Sequence, residues 1–112
     1  MCGICGFVTG REKTLESAME QLKRMNGTMY HRGPDDGGEE VFPMERGYQI
    51  GLAQRRLSIL DLSPLGHQPM HSADGRVSVV FNGEIYNFDE LKKDLDYPFR
   101  SSCDTEVIIA SY

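Results

Sequence analysis

The sequence has no tryptophan, no long apolar run and no block of like charges, and the last two absences each exclude a class of protein. The longest apolar stretches, residues 77–81 and 107–110, are too short to span a bilayer. Twelve basic residues against 17 acidic ones give a net charge of −5, so neither a nucleic acid nor a membrane surface is an expected partner. No basic segment followed by an apolar core begins the chain, and we therefore expect a cytoplasmic protein.

Cysteine is also scarce, since Cys2, Cys5 and Cys103 are the only three. Three is an odd number and too few for the disulfide framework of a small secreted protein. Cys2 and Cys5 form a C-x-x-C pair, which alone would suggest a redox pair or half of a zinc site completed by Cys103 and a histidine. A redox C-x-x-C normally opens a helix after a strand, whereas this one begins the chain, so we interpret Cys5 as a small core residue.

Cys2 is the most informative residue that is present, because removal of Met1 would leave a thiol and a free α-amine on one residue. A free thiol has a pKa of about 8.5, and an α-amine with a pKa of about 7.7 to 8.0 can take its proton directly or through one water. Cys2 would then supply both nucleophile and base. On position alone, an ordinary cysteine that starts a strand is the alternative.

Apolar periodicity and turn residues predict alternating strands and helices. Strands are predicted over residues 4–9, 41–42, 49–55, 57–61 and 76–81, and helices over residues 14–25, over residues 88–95 and after Asp104. The first strand is expected to be buried on both faces. Residues 26–40 are expected to form a constrained loop. Asn87, paired with Glu90, and Asp104 are predicted helix caps.

Four further motifs follow Cys2-Gly3-Ile4 in the chain. They are His31-Arg32-Gly33-Pro34-Asp35, Arg55-Arg56-Leu57-Ser58-Ile59, Phe81-Asn82-Gly83-Glu84-Ile85-Tyr86-Asn87 and Ser102-Cys103-Asp104-Thr105-Glu106. Their order and content resemble the class II glutamine amidotransferases. The resemblance implies an α+β fold of the N-terminal-nucleophile hydrolase type, a four-layer α/β/β/α sandwich with antiparallel sheets that would be incomplete at the C-terminus of this sequence.

The similarity is greatest to the glutaminase domains of glutamine-hydrolysing asparagine synthetases. Three phrases carry it, namely Leu57-Ser58-Ile59-Leu60-Asp61, Gly66-His67-Gln68-Pro69 and Asn82-Gly83-Glu84-Ile85-Tyr86-Asn87. Glutaminase domains of the glucosamine-phosphate synthase or amidophosphoribosyltransferase type are the alternative. A non-catalytic module of the same fold is a second alternative, because a retained Met1 would block the Cys2 nitrogen.

Attack on an amide carbonyl creates an oxyanion, which needs at least two preorganised donors. Asn82 offers an amide side chain and Gly83 an unhindered backbone N–H, so this pair is the predicted oxyanion hole and joins Cys2 among the catalytic residues. An ordinary tight turn is the structural alternative for the same pair.

Free glutamine is a zwitterion, so its binding calls for a cation at the carboxylate and an anion at the ammonium group. By the resemblance Arg56 binds the carboxylate, whereas Arg55 is interpreted as a solvated charge. Glu84 and Asp104 suit the ammonium group, and Asp104 can also cap a helix. The predicted glutamine-binding set is completed by Leu57, Ile59, Asn82 and Gly83.

Structural roles are expected for the other polar residues that the motifs contain. Arg32 is expected to hold its loop through backbone carbonyls. His67 and His71 are expected to do no chemistry, because an α-amine base makes a histidine unnecessary.

By the resemblance, residues 1–112 are the N-terminal part of a glutamine amidotransferase type 2 domain whose synthetase domain is absent. Ammonia from glutamine would pass to that ATP-dependent domain, where ATP and magnesium are expected, and no cofactor or metal is expected in this segment. We expect the segment alone to be marginally stable and poorly active, since missing strands would leave apolar faces open. A homodimer is left open.

Overall fold

The computed structural model, which describes residues 2–58 and 63–112, contains both α-helices and antiparallel strands. The predicted α+β class is therefore confirmed. No helix within these two ranges is long and apolar enough to cross a membrane.

The largest unit is a three-stranded antiparallel sheet in the order β1-β3-β2. Strand β1 is Gly3–Thr9, strand β2 is Asp36–Pro43 and strand β3 is Gln49–Arg56. In this register the first residues of β1 and β2 lie beside the last residues of β3. The end of β3 is therefore held from both sides, and the candidate site forms there.

Helix α1, Leu15–Gly27, covers one face of this sheet. Ala18 and Leu22 recur at helical spacing and are fully buried against Val41 of β2 and Ala53 of β3. The predicted first helix is confirmed, and its last residue lies slightly beyond the predicted end.

The other face of β1 is open. Ile4 and Val8 are 46% and 71% exposed, whereas Cys5 and Phe7 turn towards α1 and pack on its core. This alternation is that of a strand buried on one face only, so the expectation of burial on both faces is wrong. The reason is that α1 covers a single face, and no described segment covers Ile4 and Val8.

A second, two-stranded antiparallel sheet lies on the side of the larger sheet that α1 does not cover, next to β2. It consists of β4, Met70–His71, and β5, Ser78–Val79. The His71 Nε2 atom lies 2.8 Å from the Glu40 carboxylate, and the His71 ring meets the Phe42 ring edge to face. The small sheet is therefore joined to β2 through side chains.

Two short helices complete the described fold: α2, Phe88–Asp94, and α3, Thr105–Ser111. A second core of buried Met70, Cys103 and Ile109 joins α3 to β4. This core brings the beginning of α3 towards the end of β3.

Strand β2 begins at Asp36, inside the segment 26–40 that was expected to be a loop. Glycine and acidic residues have low strand propensity, but here their backbones pair with β3 in regular register, and this tertiary pairing overrides propensity. The expectation is correct only for the part of the segment that follows α1 and precedes β2.

The strands predicted at residues 57–61 and 76–81 differ from the structure. Leu57 and Ser58 follow the end of β3 without regular structure, and residues 59–61 lie outside the described residues. The second prediction holds only at Ser78–Val79.

Neither predicted cap bonds to its own helix through its side chain. Asn87 occupies the cap position of α2 without a side-chain hydrogen bond. Asp104 occupies that of α3, but its carboxylate instead accepts a hydrogen bond from the Ile85 N–H at 2.8 Å. Asp104 therefore joins two segments rather than satisfying the first turn of α3.

The loop of residues 31–35 is tied to the end of β3. The Asp35 N–H donates to the Arg56 carbonyl at 3.1 Å, and the Asp35 carboxylate accepts from the Ser58 N–H at 2.9 Å. Gly33 lies so close that a Cβ atom there would be 2.5 Å from the Arg56 nitrogen. The glycine therefore permits the backbone contact that fixes where β3 ends.

We expect Gly33→Ala to lower the free energy of unfolding by about 1–3 kcal/mol, because a methyl group would push the loop away from β3. Gly10→Ala is the matched control, since a Cβ atom there meets nothing within 4 Å. Urea unfolding of both variants measures the difference. Equal stability of the two variants would contradict this account of the loop.

Candidate active site

A small cavity of about 70 Å³ lies where β1 begins and β3 ends. Strand β3, the segment around Gly83 and the first turn of α3 all contribute to its wall. The lining residues are Cys2, Gln54, Arg56, Leu57, Gln68, Phe81, Gly83, Glu84, Cys103, Asp104 and Thr105. Four of the five sequence motifs therefore contribute to one cavity.

Cys2 is half-buried at this cavity, one residue before β1. Its Sγ atom accepts a hydrogen bond from the Leu57 N–H at 3.4 Å and lies 3.7 Å from the Leu57 carbonyl oxygen. The sulfur is thus held against the backbone that continues from β3. The predicted glutamine-binding residue Leu57 lines the cavity, whereas Ile59 lies outside the described residues.

Arg56 lines the same cavity and is only 6% exposed. Its guanidinium donates to the Ser63 carbonyl at 3.0 Å and packs against Gly66. No carboxylate of the described residues forms an ion pair with it. A buried cation is costly unless an anion compensates it, so this position favours an anionic ligand.

Asp104 supplies a buried negative charge at the cavity and is 5% exposed. One oxygen accepts from the Ile85 N–H, and the Cys103 thiol lies 3.7 Å from the other oxygen. No cationic side chain of the described residues pairs with it. Glu84 is exposed and also lines the cavity. A ligand with a cationic group would therefore complement this part of the wall.

Only one residue of the predicted oxyanion pair lines the cavity. Gly83 lines the cavity, whereas Asn82 is exposed and is not part of the lining. The pair forms no hairpin turn, because α2 follows after a short irregular segment. The oxyanion role of Asn82 and Gly83 stays a prediction.

Several lining residues were missed by sequence reasoning. Gln54, Gln68 and Thr105 are buried polar residues of the wall, and Cys103 is buried beside them. Gln68, Cys103 and Thr105 lie in motifs already recognised, so their place in the sequence was a signal. For Gln54 the sequence contains no signal other than its position two residues before Arg56.

Glu106 is a further buried acid, and it holds the loop that precedes α3. Its carboxylate accepts hydrogen bonds from the backbone N–H groups of Arg100 and Ser101 at 2.8 and 2.9 Å. The Ser101 hydroxyl donates to it as well. The position of Asp104 is therefore supported from within its own motif.

Arg55 is not a solvated charge, contrary to the expectation. Its Nε atom donates to the Gly33 carbonyl at 2.9 Å, and its guanidinium lies 4.8 Å from the centre of the Tyr30 ring. The loop-holding role expected of Arg32 is therefore performed by Arg55. Arg55 lies on the same face of the sheet as Gly3 and therefore reaches Gly33 and Tyr30, two contacts that the sequence alone does not show.

The histidines on either side of residues 68–70, His67 and His71, form pairs with strand β2. His67 Nδ1 lies 2.7 Å from the Asp36 carboxylate, and His71 pairs with Glu40. Although their spacing is that of an H-x-x-x-H motif, no cluster of three metal-ligating side chains occurs in residues 2–58 and 63–112. Both histidines instead hold the segment that contains β4 against the larger sheet.

Cys5 lies on the α1 side of the sheet, away from the cavity. Burial, followed by the negative charge of Glu39, raises the pKa of the Cys5 thiol. All three cysteines are free. Cys5 therefore belongs to the core, as expected, and does not share a site with Cys2.

Comparisons with known proteins identify the family of this chain. A family model described as glutamine amidotransferase domain matches residues 1–112. Asparagine synthetases (glutamine-hydrolyzing) 1 and 2 of Bacillus subtilis are each 40% identical over the whole of this chain, and amidase chry2 of Gibberella zeae is 36% identical over it. The chain spans only 17%, 14% and 18% of their respective lengths. Because the family model matches every residue of the sequence, this chain belongs to the glutamine amidotransferase domain family.

Proposed function

We propose that this domain hydrolyses the side-chain amide of glutamine in the cavity, with Cys2 as the N-terminal nucleophile. The observation that carries the proposal is one cavity wall with a thiol, a buried Arg56 without a carboxylate partner and a buried Asp104 without a cationic partner among the described residues. A zwitterionic amino acid complements both charges at once. Its side-chain amide would then be directed towards Cys2.

The chemistry requires a free Cys2 nitrogen, so Met1 must be removed. The α-amine takes the thiol proton as the sulfur attacks the amide carbon, and it returns that proton to the departing nitrogen. The carbon–nitrogen bond breaks, ammonia leaves and a thioester remains on Cys2. Water then cleaves the carbon–sulfur bond, which releases glutamate and restores the thiol. A peptide bond from Met1 would remove the base and leave the chain inactive.

Substrate binding and oxyanion stabilisation are assigned to separate groups. Arg56 would bind the glutamine carboxylate, Asp104 and Glu84 its ammonium group, and Leu57 and Ile59 would contact the substrate through the segment after β3. Asn82 and Gly83 would donate to the oxyanion, because Gly83 lines the same cavity as Cys2 and Asn82 is its neighbour in the chain.

In this proposal the ammonia is used by another part of a longer protein. Residues 1–112 would be the N-terminal part of an amidotransferase domain with a four-layer N-terminal-nucleophile sandwich. An ATP- and magnesium-dependent synthetase domain would receive the ammonia and form asparagine in the cytoplasm. No cofactor is required by the glutaminase step itself. Relatives with this domain include proteins named synthetases and a protein named amidase, so the acceptor is determined outside these residues.

Cys2→Ala should abolish glutamine hydrolysis, since the variant keeps the fold but lacks the attacking sulfur. Glutamate release by the longer protein that contains this domain, after Met1 removal, is the measurement. Cys5→Ala is the matched control, because Cys5 faces α1, and it should keep its turnover. Glutamate release at the parental rate by Cys2→Ala would refute the mechanism.

Arg56→Ala should raise the KM for glutamine by about thirtyfold, which corresponds to about 2 kcal/mol for a charge-assisted contact to the carboxylate. Arg55→Ala is the control, and we expect it to lower stability, through loss of its contacts with Gly33 and Tyr30, more than it changes KM. Glutamine titrations of both variants give the comparison. An equal or larger KM defect in Arg55→Ala would show that the wrong arginine has been assigned.

Asn82→Ala should lower kcat by about 10²- to 10³-fold with a modest change in KM, as expected for loss of one oxyanion donor. Asn87→Ala provides a control, because Asn87 is exposed and its side chain makes no capping hydrogen bond. Steady-state kinetics separate the two parameters. If KM rose while kcat held, Asn82 would be a substrate contact instead.

A further inference from the structure

We propose that Gln54 and Gln68 are positioning residues that fix the backbone leading into Asn82 and Gly83. The inference rests on the proposed glutaminase function and assigns a role to two side chains that neither the motifs nor the family match explains. It starts from Phe81, the residue immediately before the predicted oxyanion donors.

Both backbone polar groups of Phe81 are bound by buried glutamine side chains. The Phe81 N–H donates to Gln68 Oε1 at 2.7 Å, and Gln54 Nε2 donates to the Phe81 carbonyl at 3.4 Å. Gln54 is 1% exposed and Gln68 is 4% exposed. These two bonds replace the strand pairing that the sequence predicted for Phe81, and β5 accordingly ends at Val79.

This pair of bonds determines how the next peptide group is oriented. The Phe81 carbonyl and the Asn82 N–H belong to the same planar peptide unit, so holding the oxygen also directs the N–H. The bond at the Phe81 nitrogen holds the preceding unit. Rotation of the backbone on either side of Phe81 is therefore restrained. This fixes the backbone from which the two predicted donors, the Asn82 side chain and the Gly83 N–H, extend, and preorganised donors are what an oxyanion hole needs.

Gln68 also connects this segment to the substrate-binding side of the cavity. Its Nε2 atom donates to the Thr105 hydroxyl at 3.3 Å, and the neighbouring Asp104 accepts from the Ile85 N–H. The segment from Phe81 to Ile85 is thus attached to the beginning of α3 at two points. Gln54, in turn, connects it to β3, two residues before Arg56.

Because the Gln54 and Gln68 amides are buried, they hold the Phe81 backbone in a defined position. A buried glutamine with unsatisfied polar atoms would be costly, so each side chain is confined to orientations that keep its partners. An apolar replacement of similar length fills the same space but leaves the Phe81 groups without these partners. The expected result is a displaced oxyanion segment in a chain that is still folded.

The first experiment compares Gln68→Met and Gln54→Met with Gln49→Met in the longer protein that contains this domain, after Met1 has been removed. Gln49 is a buried glutamine at the other end of β3, and its Nε2 atom donates to the Lys13 carbonyl at 2.6 Å. We expect the first two variants to lose kcat by about tenfold to a hundredfold with KM changed by less than about threefold. Gln49→Met should lower the melting temperature while its kcat holds.

A double-mutant cycle tests whether the two glutamines act through Asn82. In an Asn82→Ala background, Gln68→Met should reduce kcat by a clearly smaller factor than in the parent protein, because one of the two donors that it positions is already absent. The same loss of kcat in both backgrounds would overturn the inference. So would an unchanged kcat in Gln68→Met and Gln54→Met, whatever their stability.

Thr105→Val extends the test if Gln68→Met fails to fold, since valine keeps the shape of threonine but accepts no hydrogen bond from Gln68. Thr105→Val and Gln54→Met, each as a single variant, should show the kcat loss. Thr105→Ser keeps the hydroxyl and should have the parental kcat. Unchanged kcat in Thr105→Val and Gln54→Met would refute the positioning role. Absence of Cys2-dependent glutamate release in the longer protein that contains this domain would instead refute the proposed function, and the positioning role with it.

Discussion

The site depends on the burial of one cation at the end of a central strand. Arg56 terminates β3, where both neighbouring strands begin, and it is held there by a backbone carbonyl rather than by a carboxylate of the described residues. Burial of such a charge is costly unless packing elsewhere and an anion compensate it, and in our proposal that anion is the glutamine carboxylate. The loop at Gly33, the Asp35 contacts and the His67–Asp36 pair all stabilise this end of the sheet.

The elements with clear periodicity were predictable, and those defined by side-chain contacts were not. Helix α1 has its apolar residues at helical spacing, and β3 was located to within one residue of its end. The start of β2 was missed because its glycines and acids have weak strand propensity. The strand around Phe81 was predicted too long, because two distant glutamines bind its backbone.

Sequence reasoning also identified most of the cavity wall without showing how its members meet. Cys2, Arg56, Leu57, Gly83, Glu84 and Asp104 were all singled out beforehand and line one cavity. Arg55 and Arg56 lie on opposite faces of β3, as expected for adjacent strand residues, yet the contacts of Arg55 are visible only in three dimensions. Buried Gln54 and Thr105 could not be assigned, since an isolated polar residue in a sequence does not reveal its hydrogen-bond partners.

The central claim is that Cys2 reacts, and that it does so only with a free α-amine. It is tested most directly by intact-mass analysis and peptide mapping of the protein after acid quenching during turnover of glutamine. The account predicts a γ-glutamyl thioester on Cys2, confined to molecules that have lost Met1. A glutamyl adduct on Cys103, which lines the same cavity, or on molecules that retain Met1 would contradict it.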